Sequence, residues 1–299
     1  MQSNTIRSGF VVLLGRPSSG KSTLVNALCG HRVSIVSSVP QTTRNTIRGI
    51  VNHPRGQIVL LDTPGLHTSE RKLNLRLRNV VKESLPEADM ILYLIDPTRP
   101  PGEEELAVAA IVSAASVPVI TVITKTDHPD ARPDRSKAFL TEQGLGDRQL
   151  VEVGGLASVG SGTDLNPLKD AIFDLLPEGE LWYPDDYYTD QPSTFRIAEI
   201  VREQAILRTR DEVPHAVFVD IADIEQNERR IWARVFIYVE KISQQGILVG
   251  KKGSVITAIR TASEEILNDI FPVPVKLSIQ VKVRHNWRRN DTTLNRLIY

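Results

Sequence analysis

The chain has 299 residues, 41% hydrophobic and 24% charged, an ordinary soluble composition with enough length for two cores. No apolar run reaches the ~18 residues that span a bilayer, Met1 to Gly9 is too polar for a signal peptide's core, and Cys29, the single cysteine, has no internal disulfide partner. The 36 basic residues balance the 36 acidic ones, but 19 against 23 precede residue 193 and 17 against 13 follow it, so a polyanion partner is expected for the C-terminal part.

In chain order, the apolar run Phe10-Val11-Val12-Leu13-Leu14 predicts a strand, and it delivers Gly15-Arg16-Pro17-Ser18-Ser19-Gly20-Lys21-Ser22, followed by Thr23 and a helix-compatible stretch. Two glycines four residues apart before Lys-Ser, between strand and helix, form a phosphate cradle. Backbone N–H groups face the phosphates, the helix N-terminus adds positive dipole, Lys21 reaches the outer phosphates and Ser22 holds Mg²⁺. Cys29 falls on the apolar side of that helix, as core in a reducing, cytosolic compartment.

Residues 34–48 are polar and punctuated, with Gln41-Thr42-Thr43-Arg44 at the centre. A nucleotide switch needs a hydroxyl here that reaches Mg²⁺ when the γ-phosphate is present; Thr43 is the first choice and Thr42 the fallback. Strands over 47–51 and 57–61, joined across Pro54 and Gly56, lead into Asp62-Thr63-Pro64-Gly65. Asp62 can hold the Mg²⁺ shell and the Gly65 amide can sense the γ-phosphate. Leu66 stands where a Ras-type enzyme places the glutamine that orients water.

A basic-sided helix over 71–82, a buried strand over 90–95, an acidic-started helix over 103–115 and a strand over 118–123 follow. The last delivers Thr124-Lys125-Thr126-Asp127. Asp127 can accept from guanine N1–H and the 2-amino group, a donor pair adenine lacks, with the Lys125 stem packed over the base. Thr124 keeps one hydrogen bond to the phosphate loop but lacks an amide's full set. After a strand over 149–153, Ala157 is aligned as the amide donor to guanine O6, with Ser158 beside it, and a closing helix spans 165–176. Alternating strands and helices of this kind predict a doubly wound α/β P-loop domain, ligand at the strand C-termini, over 1–176.

Residues 177–192, with five acids, no bases and four aromatics, read as a linker. Residues 193–299 begin with a helix capped at Pro192-Ser193 and carry strands over 216–221, 230–239 and 275–283. Between two short helices lies Gly250-Lys251-Lys252-Gly253: the glycines allow close approach to a nucleotide backbone, the lysines neutralise phosphate, and flanking Ile and Val side chains receive unstacked bases. This predicts an α+β type II KH domain binding RNA, with Lys282, Arg284, Arg288 and Arg289 adding positive charge and Trp287 either stacking on a base or packing on its own domain.

Together, GRPSSGKSTLVNAL, QTTR, DTPGLH, the aromatic linker, VGKKG and the closing LSIQVKV resemble the bacterial Era family of GTPases, almost end to end. The resemblance implies a GTPase with GTP/GDP and Mg²⁺ as ligands and a role in assembly and 3′-end processing of the small (30S) ribosomal subunit through the 3′ end of its rRNA; the absence of a glutamine at Leu66 leads to an expectation of slow hydrolysis. It also implies peripheral contact with the inner membrane; no feature of the sequence points to an obligate dimer, and a monomer is expected. Three departures stand out: Ser18 replaces a family Asn associated with potassium-assisted hydrolysis, Thr124 replaces the Asn of the guanine motif, and Leu156 replaces a Ser. They leave K⁺ dependence in doubt and keep a second reading open, an RNA-binding assembly module with a weakened nucleotide site.

Overall fold

A computed structural model describes residues 5–298 apart from 38, 41, 68–71 and 157–161; at position 296 only the backbone is described. By their contacts the residues fall into two compact units, residues 1–34, 43–190 and 298–299 in the first, 35–42 and 191–297 in the second.

The first unit is built on a six-stranded sheet in the order β2-β3-β1-β4-β5-β6, with β1 Arg7–Gly15, β2 Ile47–His53, β3 Gly56–Asp62, β4 Met90–Ile95, β5 Val119–Ile123 and β6 Gln149–Glu152. All neighbours pair parallel except β2 and β3, a hairpin closed at His53 and Gly56. Every residue of β3 and β4 is buried, as a strand covered on both faces must be. The connecting helices are α1 Lys21–Cys29, α2 Lys72–Ser84, α3 Glu103–Ser113, α4 Pro133–Glu142 and α5 Asn166–Leu175. Because β1, β3, β4 and β5 are parallel, their C-terminal ends Gly15, Asp62, Ile95 and Ile123 share one edge, which brings four loops together. Helix α4 has no counterpart among the sequence-based expectations; it buries only Ser136, Phe139 and Leu140 and so leaves a faint apolar stripe in the sequence.

The acidic stretch expected as a linker is bound to the first unit as far as Asp190. The Ile50 N–H donates to the Tyr188 carbonyl, and the fully buried Gln57 side chain donates to the Tyr183 carbonyl and accepts from the Trp182 and Tyr183 N–H groups. These bonds satisfy an amide that would be costly unpaired, and they cover part of the β2 edge.

The second unit has a three-stranded sheet, β7 Phe218–Gln226, β8 Ile231–Val239 and β9 Val275–Val283, with β7–β8 antiparallel and β8–β9 parallel. Strand β8 alternates buried Ile231, Ala233, Val235, Ile237 and Val239 with more open residues, the period-two pattern of a sheet with one face in the core. That core also takes Ile197, Ile200 and Val201 of α6 Ser193–Leu207, Leu248 of α8 Ile242–Val249, and Ile259 and Leu267 of α9 Ser254–Ile270. Helix α7 Val213–Ala216 and helix α10 Asp291–Leu297 complete the unit. Of the expected cap pair, Pro192 takes the cap position with extended backbone and Ser193 is the first residue of α6. Ile35 lies in the same apolar cluster, the Val36 N–H donates to Glu203 Oε1, and Arg202 donates to the Thr42 carbonyl; these contacts place residues 35–42 with the second unit instead of the phosphate-loop domain.

Candidate functional site

Gly20, with φ 94°, ends the loop and starts α1, whose first turn has no side-chain cap; its backbone donors are left open for an anion. Lys21 is 6% exposed and its Nζ donates to the Gly15 and Arg16 carbonyls, each at 3.0 Å. Burial pulls its pKa down to about 8, against the opposing attraction of Asp62 and Glu105. Arg16, expected among the phosphate-binding residues, turns its side chain away: Nε meets Glu105 Oε2 at 2.5 Å and Nη1 donates to the Pro100 carbonyl. Only its backbone belongs to the cradle. Glu105 is fully buried, accepts from the Tyr93 hydroxyl, and has its carboxyl raised chiefly by burial.

Ser22 Oγ and Thr43 Oγ1 share a hydrogen bond of 3.0 Å. Thr42 does not reach this point, since its hydroxyl donates to the Val39 carbonyl and meets Ser37 Oγ. Asp62 is fully buried with both carboxylate oxygens lacking a hydrogen-bond donor in bonding geometry. Burial raises its carboxyl, against the lowering influence of the neighbouring Ser22 hydroxyl, Lys21 and the Ser34 hydroxyl. An orphaned buried carboxylate beside two hydroxyls is an unfinished oxygen cluster, and its chemistry fits a hard divalent cation such as Mg²⁺. Ser22, Thr43 and Asp62 would hold the ion, which supplies charge neutralisation at the phosphates.

Gly65 has no room for a side chain: a Cβ there would lie 2.6 Å from Pro17 Cα and N. Its loop therefore packs directly on the phosphate loop, and the Leu66 N–H donates to the Gly15 carbonyl. The Leu66 side chain is buried in the core, so it offers no group to orient water.

On the base side, Thr124 Oγ1 donates within reach of the Ser19 carbonyl at 2.9 Å and the Ile95 carbonyl at 3.2 Å, the single loop contact expected of a threonine. Lys125, at φ 50°, places Nζ 2.7 Å from the Ser18 carbonyl and 2.7 Å from Asp96 Oδ2. Asp127 is exposed and lies against Gly154, where a Cβ would come within 3.1 Å of Asp127 Oδ1. Ala157 and Ser158 lie outside the described residues. Asp96 and Arg99 escape a reading of the sequence; Arg99 Nη2 donates to the Pro17 carbonyl at 2.8 Å. An acid at the end of a buried strand, as with Asp62, was the available signal.

In the second unit Gly250 and Gly253 take φ 72° and 77°, and Lys252 is also left-handed at φ 52°. Lys251 and Lys252 are exposed, and α8, which leads into them, leaves Ile242 and Ile247 73% and 49% exposed. Exposed cations together with open apolar side chains match an RNA backbone with unstacked bases. The tail cations are differently engaged: Lys282 Nζ lies over the Phe236 ring and Arg288 pairs with Glu240. Arg284 and Arg289 follow β9. Trp287 is 1% exposed, donates Nε1–H to the Ala216 carbonyl and meets Phe218 edge-on, so it packs on its own unit and stacks on no base.

The geometry is matched by family models: one described as a 50S ribosome-binding GTPase covers residues 10–125, and a KH domain model covers residues 212–288. The chain is thus a P-loop GTPase joined to a KH domain. Curated relatives called GTPase Era from Treponema denticola and Borreliella afzelii are 45% and 40% identical, each match covering 98% of this chain and 100% of the relative. A crystal structure of Era with MgGDPNP and nucleotides 1506–1542 of 16S ribosomal RNA matches at TM-score 0.90 and 32% identity over 98% of both chains. A point variant of Aquifex aeolicus Era bound to GDP·AlF₄⁻ matches at the same score and identity, over 98% of this chain and 99% of that one. This chain belongs to the Era family of GTPases.

Proposed function

We propose that this GTPase serves small-subunit (30S) assembly and rRNA 3′-end processing, with the loop from Gly250 to Gly253 gripping the 3′ end of 16S RNA and GTP hydrolysis timing release. The observation that carries the reading is the paired left-handed glycines flanking two exposed lysines, in a chain whose similar crystal structure holds 16S nucleotides. In the nucleotide unit, open amides at α1 and Lys21 bind the phosphates, Ser22, Thr43 and Asp62 supply the metal's oxygens, and Lys125 and Asp127 select guanine.

A Cβ on Gly250 would lie 2.5 Å from Val255 Cγ2, at a φ that favours glycine. Gly250→Asp and Gly253→Asp are therefore expected to abolish retention of an RNA carrying the 16S 3′ end while GDP affinity stays unchanged. Wild-type RNA affinity in both variants would remove the clamp. Lacking both a water-orienting glutamine at Leu66 and an amide at Ser18, the enzyme is expected to turn over slowly and equally in KCl and NaCl; strong stimulation by potassium over sodium would refute this. The protein is cytoplasmic and monomeric in this reading. Contact with the inner membrane is peripheral, in keeping with the lack, among the described residues, of any helix long and apolar enough to cross it.

A further inference from the structure

Three successive carbonyls of the phosphate loop are held from outside by side chains of other loops. Arg99 Nη2 donates to Pro17 O at 2.8 Å, Lys125 Nζ to Ser18 O at 2.7 Å and Thr124 Oγ1 to Ser19 O at 2.9 Å. In a planar trans peptide the N–H points opposite to its C=O. Holding the Pro17 and Ser19 carbonyls outward therefore turns the Ser18 and Gly20 N–H groups to the far face of the loop, where a phosphate must approach. The Ser19 N–H is spent on the Arg16 carbonyl, which leaves those two peptides as the ones so aimed.

Two of the three donors share one anchor. Asp96, 1% exposed at the end of β4, accepts from Lys125 Nζ at 2.7 Å through Oδ2, and from the Thr98 N–H and Oγ1 at 3.0 and 2.6 Å through Oδ1; Arg99 Nε lies 3.5 Å from Oδ2. Burial alone would raise this carboxyl, but the Lys125 and Thr98 hydrogen bonds outweigh it and the net shift is downward, so it is held ionised. We propose that Asp96 and Arg99 are positioning residues for nucleotide binding: one buried carboxylate fixes the lysine of the guanine motif and the arginine that aims the phosphate loop, and so makes base and phosphate recognition a single preorganised unit.

The experiment uses the full chain with fluorescent GDP, and competes it with GMP and ADP. Arg99→Ala, at a side chain 44% exposed, is expected to fold normally and to weaken GDP about tenfold, the scale of one charge-assisted hydrogen bond. Because it acts on the loop, GMP should lose less than GDP, and Arg99→Lys should restore part of the difference. Asp96→Asn releases both donors, so it should weaken GDP more than Arg99→Ala and also narrow the preference for GDP over ADP. Adding Arg99→Ala to Asp96→Asn should then cost little further. Unchanged GDP affinity in Arg99→Ala, equal losses of GMP and GDP, or a double variant whose loss is the product of the single losses would overturn the proposal. Should Asp96→Asn fail to fold, the Arg99 pair and the GMP comparison decide it.

Discussion

The two anion grips of this chain are built by opposite means. The nucleotide cradle is closed: Lys21 is almost wholly buried, its loop carbonyls are held from outside, and Asp62 waits without a partner in the core. The KH loop is open, with Lys251 and Lys252 in solvent and shape supplied by two left-handed glycines. A compact polyphosphate repays desolvated, preorganised donors, because each is worth more where water is excluded. A long RNA chain is bound instead by mobile surface charge that adapts along the backbone, and its affinity resides in released counterions.

The sharpest break between them is at Lys21. Lys21→Met is expected to lower GDP affinity by about a hundredfold or more, since it removes a buried cation that makes more than one charge-assisted bond. Retention of 16S 3′-end RNA should not change. Nucleotide titration and filter binding on the same preparation check both, and a parallel loss of RNA affinity would show the two grips are not separable.

Salt separates them next. With Lys251 and Lys252 each neutralising one phosphate of a single strand, RNA affinity should fall about sevenfold for a fourfold rise in salt. GDP affinity should move much less over that range, because its cation is shielded from the ionic atmosphere. Equal salt slopes would erase the contrast between buried and exposed charge.

The same contrast explains what could be read from the residues alone. The nucleotide site announced itself: Gly15 to Ser22, Asp62 to Gly65 and Asp127 have fixed chemistry at fixed spacing, and the apolar runs of β1, β3 and β5 that lead into these loops leave a plain pattern. What stayed hidden is what acts across long sequence separations. Arg99 grips Pro17 from 82 residues away and Gln57 pins Tyr183 from 126 away, and neither belongs to a local motif. Arg16 sits inside a recognisable motif, yet its side chain serves Glu105. Residues 35–42 read with the phosphate-loop domain because they adjoin it in the chain, but the apolar Ile35 and the carboxylate of Glu203 place them with the second unit.

The mildest effect lies in pH. Without nucleotide, burial holds Lys21 near pKa 8 instead of 10.5. In the complex, phosphates beside it favour the charged form, so the bound lysine keeps its proton to higher pH. Below about 8 both states are protonated and affinity is flat in this respect. Above it the free protein has lost the proton and must regain it to bind, so GDP affinity falls as pH rises, by about fourfold at pH 8.5 by linkage. RNA binding does not use Lys21 and should stay level there. Calorimetry of GDP binding at pH 8.5 in buffers of different ionisation enthalpy should register proton uptake that Lys21→Met abolishes. A buffer-independent enthalpy in the unmodified protein would mean that Lys21 enters the complex already charged, and that the cradle is wetter than its burial implies.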